Sequence, residues 1–109
     1  MARNSSTHYA LIAPCVSMPK GGRESYTYHY DAQDINNTIQ IGRVVRIPFG
    51  KRTITGVVLD PSIRRPPYPT KAIGTVLGDV LTDQQIEYAR WIADAAHGGL
   101  GYTLRLFVS

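Results

Sequence analysis

Glycine and proline residues interrupt the sequence so often before residue 79 that only short elements of regular structure fit between them. The segments between these breaks are rich in β-branched and aromatic residues, which favour strands. Strands are predicted at residues 9–16, 26–30, 43–47, 53–59 and 71–77. Gly50 and Lys51 would form a tight basic turn, because Gly50 can adopt a positive φ angle. The third and fourth strands are therefore expected to pair as a hairpin.

A single helix is predicted after the strands. Thr82 and Gln85 have the spacing of a capping box, in which each side chain can satisfy the backbone N–H of the other residue. The apolar residues that follow share one side of the helix, namely Ile86, Ala89, Ile92, Ala93 and Ala96. His97-Gly98 is a normal helix end. The fold class is therefore α+β, mostly β: a small barrel-like sheet of about five short strands followed by one C-terminal helix.

The length of 109 residues fits one domain. We expect this domain at residues 9–109, preceded by a flexible N-terminal arm at residues 1–8. Residues 61–69 contain four prolines together with Arg64 and Arg65, and are expected to form a stiff, exposed basic loop. The single cysteine, Cys15, excludes an internal disulfide and is expected to be a small core residue. The apolar runs are too short for a transmembrane helix, so no membrane partner and a cytoplasmic location are expected.

Positive charge is concentrated in the first part of the chain. Residues 1–78 carry ten basic and four acidic side chains, a net charge of +6, whereas residues 79–109 carry two basic and four acidic ones, a net charge of −2. A basic body with an acidic C-terminal segment favours a polyanionic partner for the body.

The sequence offers no catalytic or cofactor-binding pattern. Gly50-Lys51-Arg52-Thr53 is not a phosphate-binding loop, because Arg52 separates the lysine from the threonine. The histidines lie far apart without the spacing of metal ligands. No nucleophile stands beside a base in the sequence. We therefore expect a non-enzymatic domain without metal or cofactor.

Aromatic rings near basic side chains are the remaining candidate chemistry. Tyr26, Tyr28 and Tyr30 alternate along one predicted strand and would share one of its faces. Such rings can stack on nucleic-acid bases, or they can be core residues. Five basic residues could contact phosphates, namely Lys51, Arg52, Arg64, Arg65 and Lys71. Both interpretations of the tyrosines remain open at this point.

Several segments resemble one family. They are Ser25–Tyr28, Gly42–Gly50, Thr55–Val58, Lys71–Ile73, Val80–Thr82 and Trp91–Asp94. In order and spacing, residues 9–107 resemble the N-terminal DNA-binding domain of primosomal protein N′ (PriA), the bacterial replication-restart helicase. The segment Val45-Arg46-Ile47-Pro48-Phe49-Gly50 is the most specific part of this resemblance.

The resemblance implies capture of the 3′-terminal nucleotide of a nascent leading strand at a stalled fork. The family pocket uses an aromatic residue, an aspartate after it, the glycine of Pro-Phe-Gly and a lysine before the last strand. These positions fall on Tyr26, Thr27, Gly50 and Lys71. Thr27 departs from the family aspartate, because a hydroxyl carries no charge and reaches less far. The implied partners are the 3′ end of DNA at a fork and other helicase domains or primosome proteins. Helicase domains are expected outside these residues.

Two other classes of function are compatible with the residues. A protein-interaction or structural barrel would dock through the acidic helix, with the tyrosines as packing residues. An RNA-binding small barrel is the other. The DNA-binding hypothesis requires Tyr26, Thr27, Gly50 and Lys71 to meet in one open pocket.

Overall fold

The described residues form a strand-rich domain that ends in helices. The computed structural model describes residues 7–17, 23–31, 39–95 and 99–108. Within them the elements are β1 (Thr7–Pro14), β2 (Tyr26–Asp31), β3 (Arg43–Phe49), β4 (Arg52–Ile63), β5 (Lys71–Ala72), β6 (Thr75–Val80), α1 (Asp83–Ala95), α2 (Gly99–Leu104) and a 3₁₀ helix (Arg105–Phe107). The predicted fold class, a mostly β, barrel-like sheet followed by C-terminal helix, is confirmed, and the described residues form six strands where about five were predicted and two α-helices where one was predicted.

The sheet curls because one short segment joins its two edges. Its strand order is β5-β2-β1-β4-β3-β6, so β5 and β6 lie at opposite edges. Only Ile73 and Gly74 separate these two strands in sequence. The Ile73 N–H donates to the carbonyl of His29 on β2 at 3.0 Å, and the Gly74 N–H donates to that of Arg46 on β3 at 2.9 Å. These two bonds bring the edges of the sheet together.

Several predicted boundaries are wrong. The predicted strand at 71–77 is divided into β5 and β6, because Ile73 still hydrogen-bonds β2 whereas Gly74 hydrogen-bonds β3. β1 begins at Thr7, so Thr7 and His8 belong to the sheet, and the rest of the predicted arm lies outside the described residues. β4 continues to Ile63, so the exposed basic loop begins after it. β3 includes Pro48, which pairs with Thr53 beside the hairpin turn.

The helical region contains a second helix, α2, that was not predicted. The capping box of α1 is confirmed: the Gln85 N–H donates to Oγ1 of Thr82 at 3.1 Å, and the Thr82 N–H donates to Oε1 of Gln85 at 2.9 Å. Ile86 and Ala89 are buried as predicted, and Ile92 and Ala93 are half-buried. Ala96 and the predicted helix end, His97-Gly98, lie outside the described residues.

Alternating side chains build two cores, one on each face of the sheet. Val44 and Val45 are neighbours in β3 but belong to different cores, as do Val57 and Val58 in β4, because successive strand side chains point to opposite faces. The barrel core consists of Ala10, Ile12, Tyr28, Tyr30, Ile39, Val45, Ile47, Val58 and Ile73. The helix-covered core consists of Ala13, Cys15, Val44, Val57, Leu81, Ile86, Ala89, Leu100 and Leu104. Burial raises the pKa of the Cys15 thiol to about 11, which suits a packing role.

Strand pairing brings distant parts of the sequence to one end of the barrel. β5 runs parallel to β2, so Lys71 lies opposite Tyr28. The β3–β4 hairpin turns at Gly50 and Lys51, between the paired residues Phe49 and Arg52. Gly50 has a φ of 64°, as its place in the turn predicts. A hydrogen bond of 2.7 Å from the Tyr28 hydroxyl to the carbonyl of Pro48 joins β2 to this hairpin.

Candidate nucleic-acid interface

A cavity of about 260 Å³ lies where β2, β5 and the hairpin turn meet. Tyr26, Thr27, Gly50 and Lys71 all line it, so the structure brings together the four residues that the resemblance selected. We call it the terminal pocket. Its full lining is Arg23, Tyr26, Thr27, Tyr28, Pro48, Phe49, Gly50, Tyr68, Pro69, Thr70 and Lys71.

The tyrosines of β2 divide between two environments. Tyr28 and Tyr30 are only 5% and 9% exposed, and both belong to the barrel core. The Tyr30 hydroxyl donates to the carbonyl of Pro61 at 2.6 Å, as that of Tyr28 does to Pro48. Burial, with a smaller effect from Tyr26, raises the pKa of Tyr28 to about 12. Tyr28 and Tyr30 are therefore core residues, and a three-ring stacking surface is wrong.

Tyr26 keeps an accessible position at the edge of the barrel core. It is partly buried and lines the terminal pocket. The Phe49 ring meets it edge to face, with centroids 5.5 Å apart and planes at 78°. The Arg23 guanidinium lies 5.4 Å from the centroid of the Tyr26 ring, within cation–π distance. These contacts fix the orientation of the ring, so a base that stacks on it meets a pre-oriented surface.

Thr27 interacts with a residue that sequence reasoning missed. The side chains of Thr27 and Arg23 lie near the hydroxyl of Tyr68, and these polar neighbours, Thr27 first, lower the pKa of Tyr68. Tyr68 comes from the basic loop, where prolines flank it on both sides, and its side chain is 47% exposed. A lone aromatic residue held between two prolines is the sequence signal that could have found it. Arg23 carries no comparable signal.

The terminal pocket is basic. Arg23 and Lys71 line it, and no carboxylate does so among the described residues. Lys51 and Arg52 are exposed beside Gly50, outside the lining. Two further basic residues lie on the loop that carries Tyr68: Arg64 is exposed, and Arg65 lines a neighbouring cavity.

The described residues also limit other chemistries. Where the structure describes the chain, no group of three His, Cys, Asp or Glu side chains could hold a metal ion. Within the same ranges, no helix has both the length and the apolar character needed to cross a bilayer.

A curled β sheet with a basic, aromatic-lined pocket at one end is typical of a nucleic-acid-binding module. The family model of the PriA 3′ DNA-binding domain (3′BD) matches residues 15–109, and the chain belongs to this family. A comparison with curated proteins finds no match.

Family membership confirms the recognised resemblance and the DNA-binding function. The domain binds the 3′ end of a DNA strand at forks, and it is the non-catalytic DNA-binding module of the PriA helicase, which acts in replication restart with the primosome. DNA is therefore the nucleic acid that this family domain binds.

Proposed function

We propose that the terminal pocket holds the last nucleotide at the 3′ end of the DNA strand. The observation that supports this proposal is the meeting of Tyr26, Thr27, Gly50 and Lys71 in one open cavity, although they come from three separate segments. The volume of about 260 Å³ is slightly smaller than that of most ligand cavities, which range over about 300–1,000 Å³. A cavity of this size suits one nucleotide better than an internal stretch of strand.

Stacking on Tyr26 supplies the main attraction in this proposal. Every base has a π-face, and stacking on an aromatic residue contributes about 1–3 kcal/mol per base. The contact does not read base identity, and neither do contacts to phosphate and sugar. The pocket therefore captures an end, whatever its sequence.

Gly50 and Lys71 act on the backbone of the nucleotide. A Cβ on Gly50 would meet no heavy atom within 4 Å, so the absence of a side chain leaves open space at the pocket. The nucleotide can approach the peptide of the turn closely there. Lys71 is exposed and places its ammonium group at the sugar-phosphate.

Thr27 contributes a hydrogen bond as part of a group of three residues. Its side chain lies near the Tyr68 hydroxyl and lines the pocket together with Tyr68 and Arg23. This arrangement supplies hydroxyl and guanidinium donors at the position where the family carries an aspartate. We propose that Thr27, together with Tyr68, hydrogen-bonds the terminal sugar or base edge.

The basic residues around the pocket contact neighbouring phosphates in this proposal. Lys51 and Arg52 flank the hairpin turn, and Arg64 and Arg65 lie on the loop. Each neutralised phosphate releases counterions, so affinity should fall steeply with salt. These contacts add strength without specificity for the end.

A single bound nucleotide gives only modest affinity. A binding free energy of about −4 kcal/mol corresponds to millimolar binding. Neighbouring DNA-binding domains would raise the effective concentration of the 3′ end. We therefore propose that the domain predicted at residues 9–109, together with Thr7 and His8 of β1, works beside other helicase domains or primosome proteins, in the cytoplasm.

An exposed aromatic surface favours such a protein contact. Trp91 is 70% exposed and Tyr88 is 55% exposed. Tyr88 stacks on Trp91 with centroids 6.1 Å apart, and Phe107 meets Tyr88 edge to face at 6.2 Å. Large apolar side chains grouped on a surface commonly mark protein interfaces. This surface is the basis for the proposed docking role of the helical end.

The proposal for the terminal pocket is tested with Tyr26→Ala and Lys71→Ala in a DNA-binding titration by fluorescence anisotropy. Tyr102→Ala is the matched control, because Tyr102 is 40% exposed on α2 and does not line the pocket. Loss of stacking should weaken binding of Tyr26→Ala by about 5- to 150-fold. The proposal is wrong if Tyr26→Ala and Lys71→Ala both bind DNA like the wild type.

A further inference from the structure

A second cavity of about 350 Å³ adjoins the terminal pocket. The two share Tyr68, Pro69 and Thr70, which therefore form a wall between them. Beyond this wall the second cavity is lined by Tyr9, His29 and Arg65, together with Thr7 at the start of β1. Tyr9 and His29 do not line the terminal pocket, so the second cavity presents a different set of aromatic side chains.

The second cavity is held in shape by ordered contacts. Tyr9 and His29 are paired across β1 and β2, and their rings lie 6.4 Å apart at 63°. Nδ1 of His29 and Oγ1 of Thr70 form a hydrogen bond of 2.6 Å, which ties the histidine to the wall. Both rings are partly buried, so the sheet restricts their rotation. A ligand entering this cavity meets surfaces that are already positioned, which lowers the entropic cost of binding.

The chemistry of the second cavity matches a nucleotide. Tyr9 and His29 present aromatic rings to a base, and Arg65 presents a permanent cation to a phosphate. The hydroxyls of Thr70 and Tyr68 can hydrogen-bond a sugar or base edge. Its volume falls within the range of about 300–1,000 Å³ for ligand cavities. Among the described residues that line it, none carries a negative charge.

We infer that this cavity holds the second nucleotide of the same strand, whose 3′ oxygen is bonded to the 5′ phosphate of the terminal nucleotide. This inference rests on the proposed role of the terminal pocket. A single phosphodiester joins consecutive nucleotides, so a strand that ends in one pocket must place its next nucleotide close by. The shared wall makes the second cavity such a neighbour, and the strand crosses Tyr68–Thr70 between the two sites.

In this arrangement Tyr68 lies between the two nucleotide sites. On one side it lines the terminal pocket beside Thr27 and Arg23, and on the other it lines the second cavity. It separates the last two bases, so each stacks on protein instead of on the other. The domain then reads the last two nucleotides as a unit, without preference for base identity.

The experiment uses the full chain and four labelled single strands of equal length in fluorescence anisotropy titrations. One strand is intact. The others lack one base each, at the 3′-terminal position, at the second position, or far from the 3′ end. The variants are Tyr9→Ala and Arg65→Gln, with Arg90→Gln as the control for charge. Arg90 is exposed on α1 and lines neither cavity. Arg65→Gln lies on an exposed loop, so it tests the cavity even if Tyr9→Ala fails to fold.

The inference predicts that loss of the second base weakens wild-type binding by about 5- to 150-fold. In Tyr9→Ala the intact strand and the strand lacking the second base should bind equally. Arg65→Gln should reduce the dependence of log affinity on log salt concentration by about 0.7, the value for one phosphate on a single strand, while Arg90→Gln should not change it.

Three outcomes would overturn the inference. If loss of the terminal base weakens binding but loss of the second base does not, the second cavity holds no nucleotide and the terminal pocket stands. If loss of the distant base costs as much as loss of the second base, the contacts are those of a generic surface. If neither the terminal nor the second base affects binding, the inference and the terminal pocket both fail.

Discussion

Substitutions at Gly50 can test two properties separately: the backbone conformation that the fold requires, and the open space that the proposed nucleotide requires. Its φ of 64° is left-handed, and a Cβ there would meet no atom within 4 Å. An alanine therefore causes backbone strain without a clash. The left-handed conformation costs a residue with a Cβ roughly 1–2 kcal/mol. Gly50→Ala should lower the free energy of unfolding by about that amount, measured by urea denaturation.

Gly50→Asn is the matched variant, because asparagine enters the left-handed region more readily than alanine. It should recover part of the lost stability. It should not recover DNA binding, because its side chain occupies the space through which the nucleotide approaches. Loss of one contact worth about 1 kcal/mol corresponds to about fivefold weaker binding. Wild-type affinity in Gly50→Asn, measured by fluorescence anisotropy, would refute the proposed close approach.

Three further predictions concern the fold. Tyr30→Phe removes the 2.6 Å hydrogen bond to the carbonyl of Pro61, so it should lower the free energy of unfolding by about 1–3 kcal/mol and leave the DNA affinity unchanged. A weakened DNA affinity in a folded variant would contradict the assignment of Tyr30 to the core. Thr82→Ala removes the hydroxyl that caps α1 and should cost about 1 kcal/mol in thermal or chemical unfolding, whereas an unchanged stability would mean that the capping box contributes nothing. Burial raises the pKa of Tyr28 from 10.0 to about 12, so the stability that the protonated Tyr28 contributes is complete below pH 10 and is lost as the pH rises toward 12. Between these pH values the free energy of unfolding of Tyr28→Phe should fall less steeply with pH than that of the wild type. An equal slope would contradict the assignment of this pH dependence to Tyr28.

Local features were predictable because neighbouring residues decide them. The turn at Gly50 and the capping box of Thr82 and Gln85 depend on conformations available within a few residues. These features hold because no distant contact competes with them.

Features that depend on distant contacts were not predictable. The division of residues 71–77 into two strands follows from the bonds that Ile73 makes to β2 and Gly74 makes to β3. Helix α2 contains Gly99 and Gly101, which are poor helix formers. A Cβ on Gly101 would overlap the carbonyl oxygen of Pro14, so the glycine lets the helix pack directly on β1. Packing, and not helix propensity, accounts for this element.

The candidate site shows the same division. The resemblance selected Tyr26, Thr27, Gly50 and Lys71, and the structure places them around one cavity. Arg23 and Tyr68 were missed, because each lies in a loop whose position is set by the folded barrel. The second cavity was missed for a related reason, since cross-strand pairing alone brings Tyr9 beside His29.

The most direct measurement compares two labelled single strands that differ only in ending with a free 3′-hydroxyl or a 3′-phosphate. A pocket that fits one terminal nucleotide should bind the free hydroxyl end more tightly, and Tyr26→Ala should remove the preference. Fluorescence anisotropy at several salt concentrations separates this preference from phosphate attraction, which falls with salt. Equal binding of the two strands by the wild type would contradict terminal-nucleotide capture and leave only a basic surface.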